Sequence, residues 1–252
     1  MQLRVLGCGG AELPYSRPPA FLLDGSLLLD AGTVGAVLDE HEQCDINHVL
    51  LTHAHLDHTR ALPFLADNLN LCRWPKTLEV HGSADCLQAV QTHLMNNVIW
   101  PDFSTLGLIG NPAIAYRELC EGQTVHLDSF EVTAYPVNHV VPAQGYLVRK
   151  GGKSILYTGD TGPSEEIWKG AADLSLLLAE VSFPNDMEDV ARLTGHLTPR
   201  LLVEELNKME TLPPRILATH LKPLFREAIA AEVRALGIPQ MELAEDGAVY
   251  EL

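Results

Sequence analysis

Seven residues carry ligand chemistry in this sequence, four of them in one tight group. That group is Thr52-His53-Ala54-His55-Leu56-Asp57-His58, which directly follows the apolar run Val49-Leu50-Leu51. An extended chain alternates its faces, so His53 and His55 point the same way. Two imidazoles offered from one edge suit a zinc-type ion with nitrogen ligands at roughly 2.0–2.1 Å. Asp57 and His58 follow where the chain turns into a helix, so they address a second, adjacent position. Crowding of four ligand-type residues into six positions is eased when cations sit between them. Three single residues also follow strand-like runs: His139 after Val137, Asp160 after Ile155-Leu156-Tyr157-Thr158-Gly159, and His220 after Ile216-Leu217-Ala218-Thr219. Ligands at strand ends are typical of sites built on a sheet rim. The expected arrangement is two sites. His53, His55 and His139 hold one ion, Asp57, His58 and His220 hold the other, and Asp160 bridges them. Two divalent ions roughly 3.5–4 Å apart share a hydroxide and clamp phosphate oxygens. Nitrogen and carboxylate ligands suit Zn2+ best, and Mn2+ or Fe2+ accept the same set.

The elements that must position these groups are legible as alternating strands and helices. Strands are expected over Leu3–Leu6, Phe21–Asp24, Leu27–Asp30, His48–Thr52, Thr77–His81, Phe130–Val137, Gly145–Val148, Ser154–Thr158, Leu174–Ala179, Arg215–Thr219 and Ala248–Leu252. Asp24-Gly25 tolerates positive φ and predicts a hairpin turn. Helical spacing of apolar residues marks Ser83–Asn96, Pro199–Met209 and Leu224–Leu236. Thr198-Pro199 is a good helix start, with a hydroxyl N-cap followed by proline. Trp100 to Glu121 contains Pro101, Gly107, Gly110 and Pro112 and reads as loop.

Composition bounds the partners. The chain has 252 residues and a formal net charge of −16, with 46% hydrophobic residues. This is globular composition. An acidic chain without a Lys/Arg cluster repels a phosphate backbone, so no long nucleic acid is expected. No run approaches the roughly 18 apolar residues of a membrane helix, and Met1–Leu6 is too short for a signal peptide and reads as a strand. A cytoplasmic location is expected. Cys8, Cys44, Cys72, Cys86 and Cys120 are odd in number and lack C-x-x-C spacing, which predicts free thiols rather than disulfides.

Taken together, Asp30-Ala31-Gly32-Thr33, the His53–His58 motif, His139, Gly159-Asp160-Thr161-Gly162 and His220 resemble the metallo-β-lactamase superfamily. The resemblance spans nearly the whole chain. It implies an αββα sandwich of the α+β class over residues 1–252, with two facing mixed sheets flanked by helices and a dinuclear site at one rim. Further segments look like the class II cyclic-nucleotide phosphodiesterases: Glu180-Val181-Ser182-Phe183-Pro184-Asn185, Gly195-His196-Leu197-Thr198-Pro199, Thr219-His220-Leu221-Lys222-Pro223 and Asn97-Val98-Ile99-Trp100-Pro101-Asp102-Phe103. Thr59 and Ala61 depart from that pattern, standing where the family usually has an aliphatic residue and a glycine.

The resemblance implies hydrolysis of 3′,5′-cyclic nucleotides (cAMP or cGMP) to 5′-monophosphates. It places a site histidine at His196, which is the expected acid for the leaving 3′-oxygen. Glu180 is expected to orient His196 or another histidine, Asp57 to act as both ligand and proton acceptor, and Asp30 to orient a ligand histidine or a loop. Trp100 and Phe103 suit stacking on a nucleobase, and equally suit a core or a dimer arm formed by residues 83–112. A homodimer is compatible with that arm. His41, His48, His81, His93 and His126 are expected to be structural or exposed. The competing readings are a ribonuclease Z-type enzyme trimming tRNA 3′ ends, a lactonase or thioester hydrolase, and a sensor that binds a cyclic nucleotide without cleaving it.

Overall fold

A computed structural model describes residues 1–71, 76–107, 111–170 and 172–252. Fourteen strands among these residues form two seven-stranded sheets. The first sheet holds β1 (Gln2–Gly7), β2 (Ala20–Leu23), β3 (Leu27–Leu29), β4 (His48–Leu50), β5 (Leu78–Gly82), β6 (Ile114–Glu118) and, beyond β1 at its edge, β14 (Val249–Glu251). The second holds β7 (Thr124–Leu127), β8 (Phe130–Pro136), β9 (Gln144–Lys150), β10 (Lys153–Tyr157), β11 (Leu176–Glu180), β12 (Ile216–Thr219) and β13 (Met241–Leu243), adjacent in that order. Both are mixed: antiparallel hairpins at one side give way to parallel neighbours such as β3–β4–β5 and β10–β11–β12.

Side-chain alternation explains the layering. In β2, Phe21 and Leu23 face the core between the sheets, whereas Leu22 faces outward to a second core. In β11, Leu176 and Leu178 point inward and Leu177 outward. Strands apolar on both faces must be covered on both faces. The outer face of the first sheet is covered by α1 (Glu40–Asp45), α3 (Leu62–Asn70) and α4 (Ala84–His93), of which α3 contributes Leu62, Leu65, Ala66 and Leu69. The outer face of the second is covered by α6 (Pro199–Leu206) and α7 (Arg226–Ala235) through Leu201, Leu202, Ile229 and Val233. Two short helices, α2 (Leu56–Thr59) and α5 (Glu188–Thr194), lie elsewhere in the chain. The result is the expected αββα sandwich.

Local signals act as read. Asp24 and Gly25 both take positive φ, and Ser26 N–H closes the β2–β3 turn on the Leu23 carbonyl at 3.0 Å. Thr198 caps α6 by accepting from Leu201 N–H at 3.3 Å. No helix among the described residues is long and apolar enough to cross a membrane. Truncating a fully buried inter-sheet residue tests the layering. Leu176→Ala is expected to cost about 2–5 kcal/mol by denaturant unfolding, and a loss under about 1 kcal/mol would mean that this core is not close-packed.

Some expectations are corrected. Within residues 83–112 the helix ends at His93 and is packed onto the first sheet through buried Cys86, Leu87 and Val90. The stretch read as loop contains the strand β6; residues 108–110 lie outside the described ones. Phe103 is buried in the outer core of the first sheet, and Trp100 packs against that core with its ring 4.8 Å from Phe64. Phe103 thus takes the core role, one of the alternatives expected of it, and Trp100 is partly buried at the edge of that core. Cys8, Cys86 and Cys120 are free thiols, whereas Cys44 is disulfide-bonded. Sequence spacing says nothing of which cysteines meet in space.

Candidate metal centre

Strand direction brings the ligand residues together. β10, β11 and β12 run parallel, and β8 runs the same way because two antiparallel steps separate it from β10. Residues after these strands therefore emerge at one rim: His139 after β8, Asp160 after β10, Glu180 at the end of β11, His220 after β12. The segment after β4 supplies His53, and α2 carries the rest, with His55 as its N-cap and Asp57 and His58 in its single turn. One helical step rotates the side chain by about 100°, so Asp57 and His58 leave the line shared by His53 and His55.

All seven predicted ligand residues meet there. Ligand atoms of His53, His55, His139 and Asp160 lie within 4.8 Å of one another, as do those of Asp57, His58 and His220. His55 Nδ1 is 3.3 Å from His139 Nε2, and His220 Nε2 is 3.4 Å from His58 Nε2 and 3.3 Å from Asp160 Oδ2. Asp57 Oδ2 is 3.4 Å from His220 Nε2. A tetrahedral ion with bonds of about 2.0–2.1 Å has ligand–ligand edges of about 3.3–3.4 Å. The spacing fits.

The hydrogen bonds behind the rings decide which nitrogen faces the centre. His58 Nδ1 donates to Asp30 Oδ2 at 2.7 Å, His139 Nδ1 to the Gly195 carbonyl at 2.8 Å, and His220 Nδ1 to Ser182 Oγ at 2.9 Å. His53 Nδ1 is 3.0 Å from Thr52 Oγ1, which in turn donates to Asp30. With their Nδ1 protons committed, these four rings present Nε2 lone pairs inward, which is how metal-ligating histidines are oriented. His58 Nε2 and His220 Nε2 face each other 3.4 Å apart, across a space that a cation would fill. His53 Nε2 and Asp160 Oδ1 are buried without a hydrogen-bond partner, a state that costs several kcal/mol for a carboxylate unless a positive charge satisfies it. The donor set thus fits divalent metal ions.

The surrounding charges act on each group differently. Burial pulls His58 toward neutrality, but the Asp160 and Asp30 carboxylates outweigh it and hold its imidazole well above the usual range. His53 is driven well below that range by burial and by the neighbouring His58. Burial favours a neutral Asp160, yet His220 and His58 keep its carboxyl well below ordinary values. Asp57 is likewise lowered, against its burial, by the His220 contact.

Beside this centre stands a second pair. His196 Nδ1 donates to Glu180 Oε1 at 2.7 Å, and its ring stacks on His220 with centroids 5.4 Å apart. Burial lowers the His196 pKa, but the Glu180 charge and hydrogen bond more than offset this and raise it. Glu180 is fully buried and also accepts from Thr161 N–H, Leu197 N–H and Ser182 Oγ. Sequence reading misses Ser182, whose hydroxyl links His220 Nδ1 to Glu180 Oε2. It also misses Tyr157, which donates to Asp30 at 2.7 Å. A hydroxyl acting through one hydrogen bond leaves no spacing signature. Trp100 and Phe103 are not among the residues brought together here.

Backbone conformation is specialised at this rim. Asp30 and His220 adopt φ of 55° and 60°, a region that non-glycine residues rarely occupy. Gly159, at φ 58°, lies so close to Thr52 that a Cβ would meet its side chain at 2.8 Å.

Comparison with known proteins follows the same lines. A family model described as a beta-lactamase superfamily domain matches residues 27–221. The chain belongs to the metallo-β-lactamase superfamily. The metallo-beta-lactamase fold protein YhfI from Bacillus subtilis superposes with a TM-score of 0.79 at 19% identity, covering 99% of each chain. A probable 3′,5′-cyclic-nucleotide phosphodiesterase of Yersinia pestis is 27% identical over 229 residues, which span 80% of this chain and 64% of that protein. A ribonuclease BN of Cronobacter sakazakii is 23% identical over 255 residues, 80% of each. Membership of this metallo-hydrolase superfamily, with the donor set above, makes the protein a metal-binding hydrolase.

Proposed function

We propose that this hydrolase is a phosphodiesterase that opens 3′,5′-cyclic nucleotides to 5′-nucleoside monophosphates. Two ligand triads sharing one carboxylate, with a protonatable histidine alongside, carry the reading. They suit a small, strained anionic diester, and the Yersinia pestis relative named for that activity supports it. Under this reading His53, His55 and His139 hold one divalent ion, Asp57, His58 and His220 a second, and Asp160 lies between them. Zn2+ is the favoured metal on donor type. Such ions, when bound, supply water of lowered pKa and positive charge for the nonbridging phosphate oxygens. That local charge offsets the repulsion of a chain with net charge −16 for an anionic substrate.

The chain's own residues do the remainder. Hydrolysis adds the elements of water across the P–O3′ bond: the water oxygen joins phosphorus, the P–O3′ bond breaks, O3′ takes a proton, and the proton lost by the water passes to solvent, from which the acid is reloaded. His196 gives that proton from the nitrogen not engaged by Glu180. Glu180 fixes the ring and favours its charged form, so the acid is loaded near neutral pH. Ser182 couples the same carboxylate to His220, so acid and ligand share one anchor.

Ribonuclease activity on tRNA 3′ ends is the second reading, favoured by the ribonuclease BN match over 80% of both chains. A panel of cAMP, cGMP, a bis-aryl phosphate, a lactone and pre-tRNA separates the two. Turnover of cyclic nucleotides with pre-tRNA intact is expected; the reverse pattern would replace the proposal. Chelation is expected to abolish activity, and two added equivalents of metal to restore it. Full restoration by one equivalent would reduce the proposal to a single-ion site.

A further inference from the structure

At the other end of β4 from His53, three side chains form a separate constellation. His48 opens β4 and Glu79 lies directly across from it on β5, while His81 sits two residues further along the same face. His48 Nδ1 is 3.3 Å from His81 Nε2 and 3.4 Å from Glu79 Oε2, and the third side, His81 Nε2 to Glu79 Oε2, is 3.8 Å. We propose that His48 Nδ1, His81 Nε2 and Glu79 Oε2 bind a zinc-class divalent ion at a site distinct from the centre at the opposite end of the strand.

The geometry carries the assignment. The circle through those three atoms has a radius of about 2.0 Å, the length of a zinc–nitrogen or zinc–oxygen bond. Both imidazoles are nearly buried, at 9% and 6% exposure, whereas the Glu79 side chain keeps 32%, leaving a solvent approach for the ion and for its fourth ligand. Surrounding groups orient the set. Arg117 Nε holds Glu79 Oε1 at 3.1 Å, which leaves Oε2 for the imidazoles. Asp128 Oδ2 lies 3.4 Å from His48 Nε2, an atom otherwise without a hydrogen bond. A proton on Nε2 therefore faces a carboxylate, and the Nδ1 lone pair points toward His81 and Glu79. This is the carboxylate–histidine–metal pattern of natural sites. Burial and the neighbouring His48 push the His81 pKa down to about 4, so its lone pair is free at neutral pH. Asp128 lies in the turn between β7 and β8 and is also held by Asn47 at 2.9 Å, so an ion here would tie the first sheet to a hairpin of the second.

The test separates this site from the main centre. In a His55→Ala/His220→Ala background, zinc uptake by the metal-free protein is measured by elemental analysis after gel filtration, and melting is followed with and without zinc. Adding Glu79→Gln or His81→Gln is expected to remove one equivalent of bound zinc relative to that parent and to abolish the zinc-dependent rise in melting temperature. Glu79→Gln alters a half-exposed residue and preserves the fold, which circular dichroism checks. If both variants bind as much zinc as their parent, the proposal is wrong. A parent that takes up no zinc would overturn it equally.

Discussion

Asp160→Ala is expected to lower kcat/KM for cyclic nucleotides by at least about three orders of magnitude, roughly 4 kcal/mol of transition-state stabilisation, and to lower metal content. The size follows from position. Asp160 reaches His53 at 3.7 Å on one side and both His58 and His220 on the other, at 3.4 and 3.3 Å. Removing it takes an anion from two sets of ligands at once and leaves buried imidazoles crowded without a counter-charge. His55→Ala should be as inactive but should lose metal from one triad only, because His55 pairs with His139 at 3.3 Å and belongs to the first group alone. Elemental analysis beside steady-state kinetics measures both. Wild-type turnover in either variant would reject the ligand assignment.

His196→Ala should have the next largest effect, and its size should depend on the substrate. General acid assistance is worth roughly 10²–10⁴-fold. A ribose 3′-alkoxide is a poor leaving group and needs that proton, whereas a nitrophenolate departs without it. The variant is therefore expected to lose about 10²–10⁴-fold on cAMP and far less on a bis-nitrophenyl phosphate. Equal losses on both would make His196 a positioning residue for His220, on which it stacks. Glu180→Gln is a poorer probe of the same step. Glu180 receives four hydrogen bonds in full burial, and each acceptor disturbed there costs about 1–3 kcal/mol of stability.

The parts of this arrangement that are legible in sequence share a physical cause. Ligand residues crowded after an apolar strand have few uses other than cations, so His53 to His58 stand out, and strand-end positions then single out His139, Asp160 and His220. Strands β6, β7 and β13 escape a sequence reading because they are edge strands with half-exposed patterns, and such strands lack the apolar run that marks a central one. The helix α1 has six residues, too few for periodicity, although its Asp39–Glu42 capping box is visible in principle. Trp100 and Phe103 stay ambiguous in sequence because an aromatic beside a motif carries the same letters whether it stacks on a base or fills a core. His48 and His81 look merely structural in sequence because β4 and β5 must be placed side by side before the two rings can meet.

Asp30 bears on more than the ring it orients. Its carboxylate takes hydrogen bonds from Thr52 and His58 on one layer of the sandwich and from the Tyr157 hydroxyl on the other. The rim is therefore pinned like a rivet through two plates. Any slippage of one plate over the other must pull on His58 first, so damage deep between the layers should register as altered reactivity at the mouth before the protein unfolds.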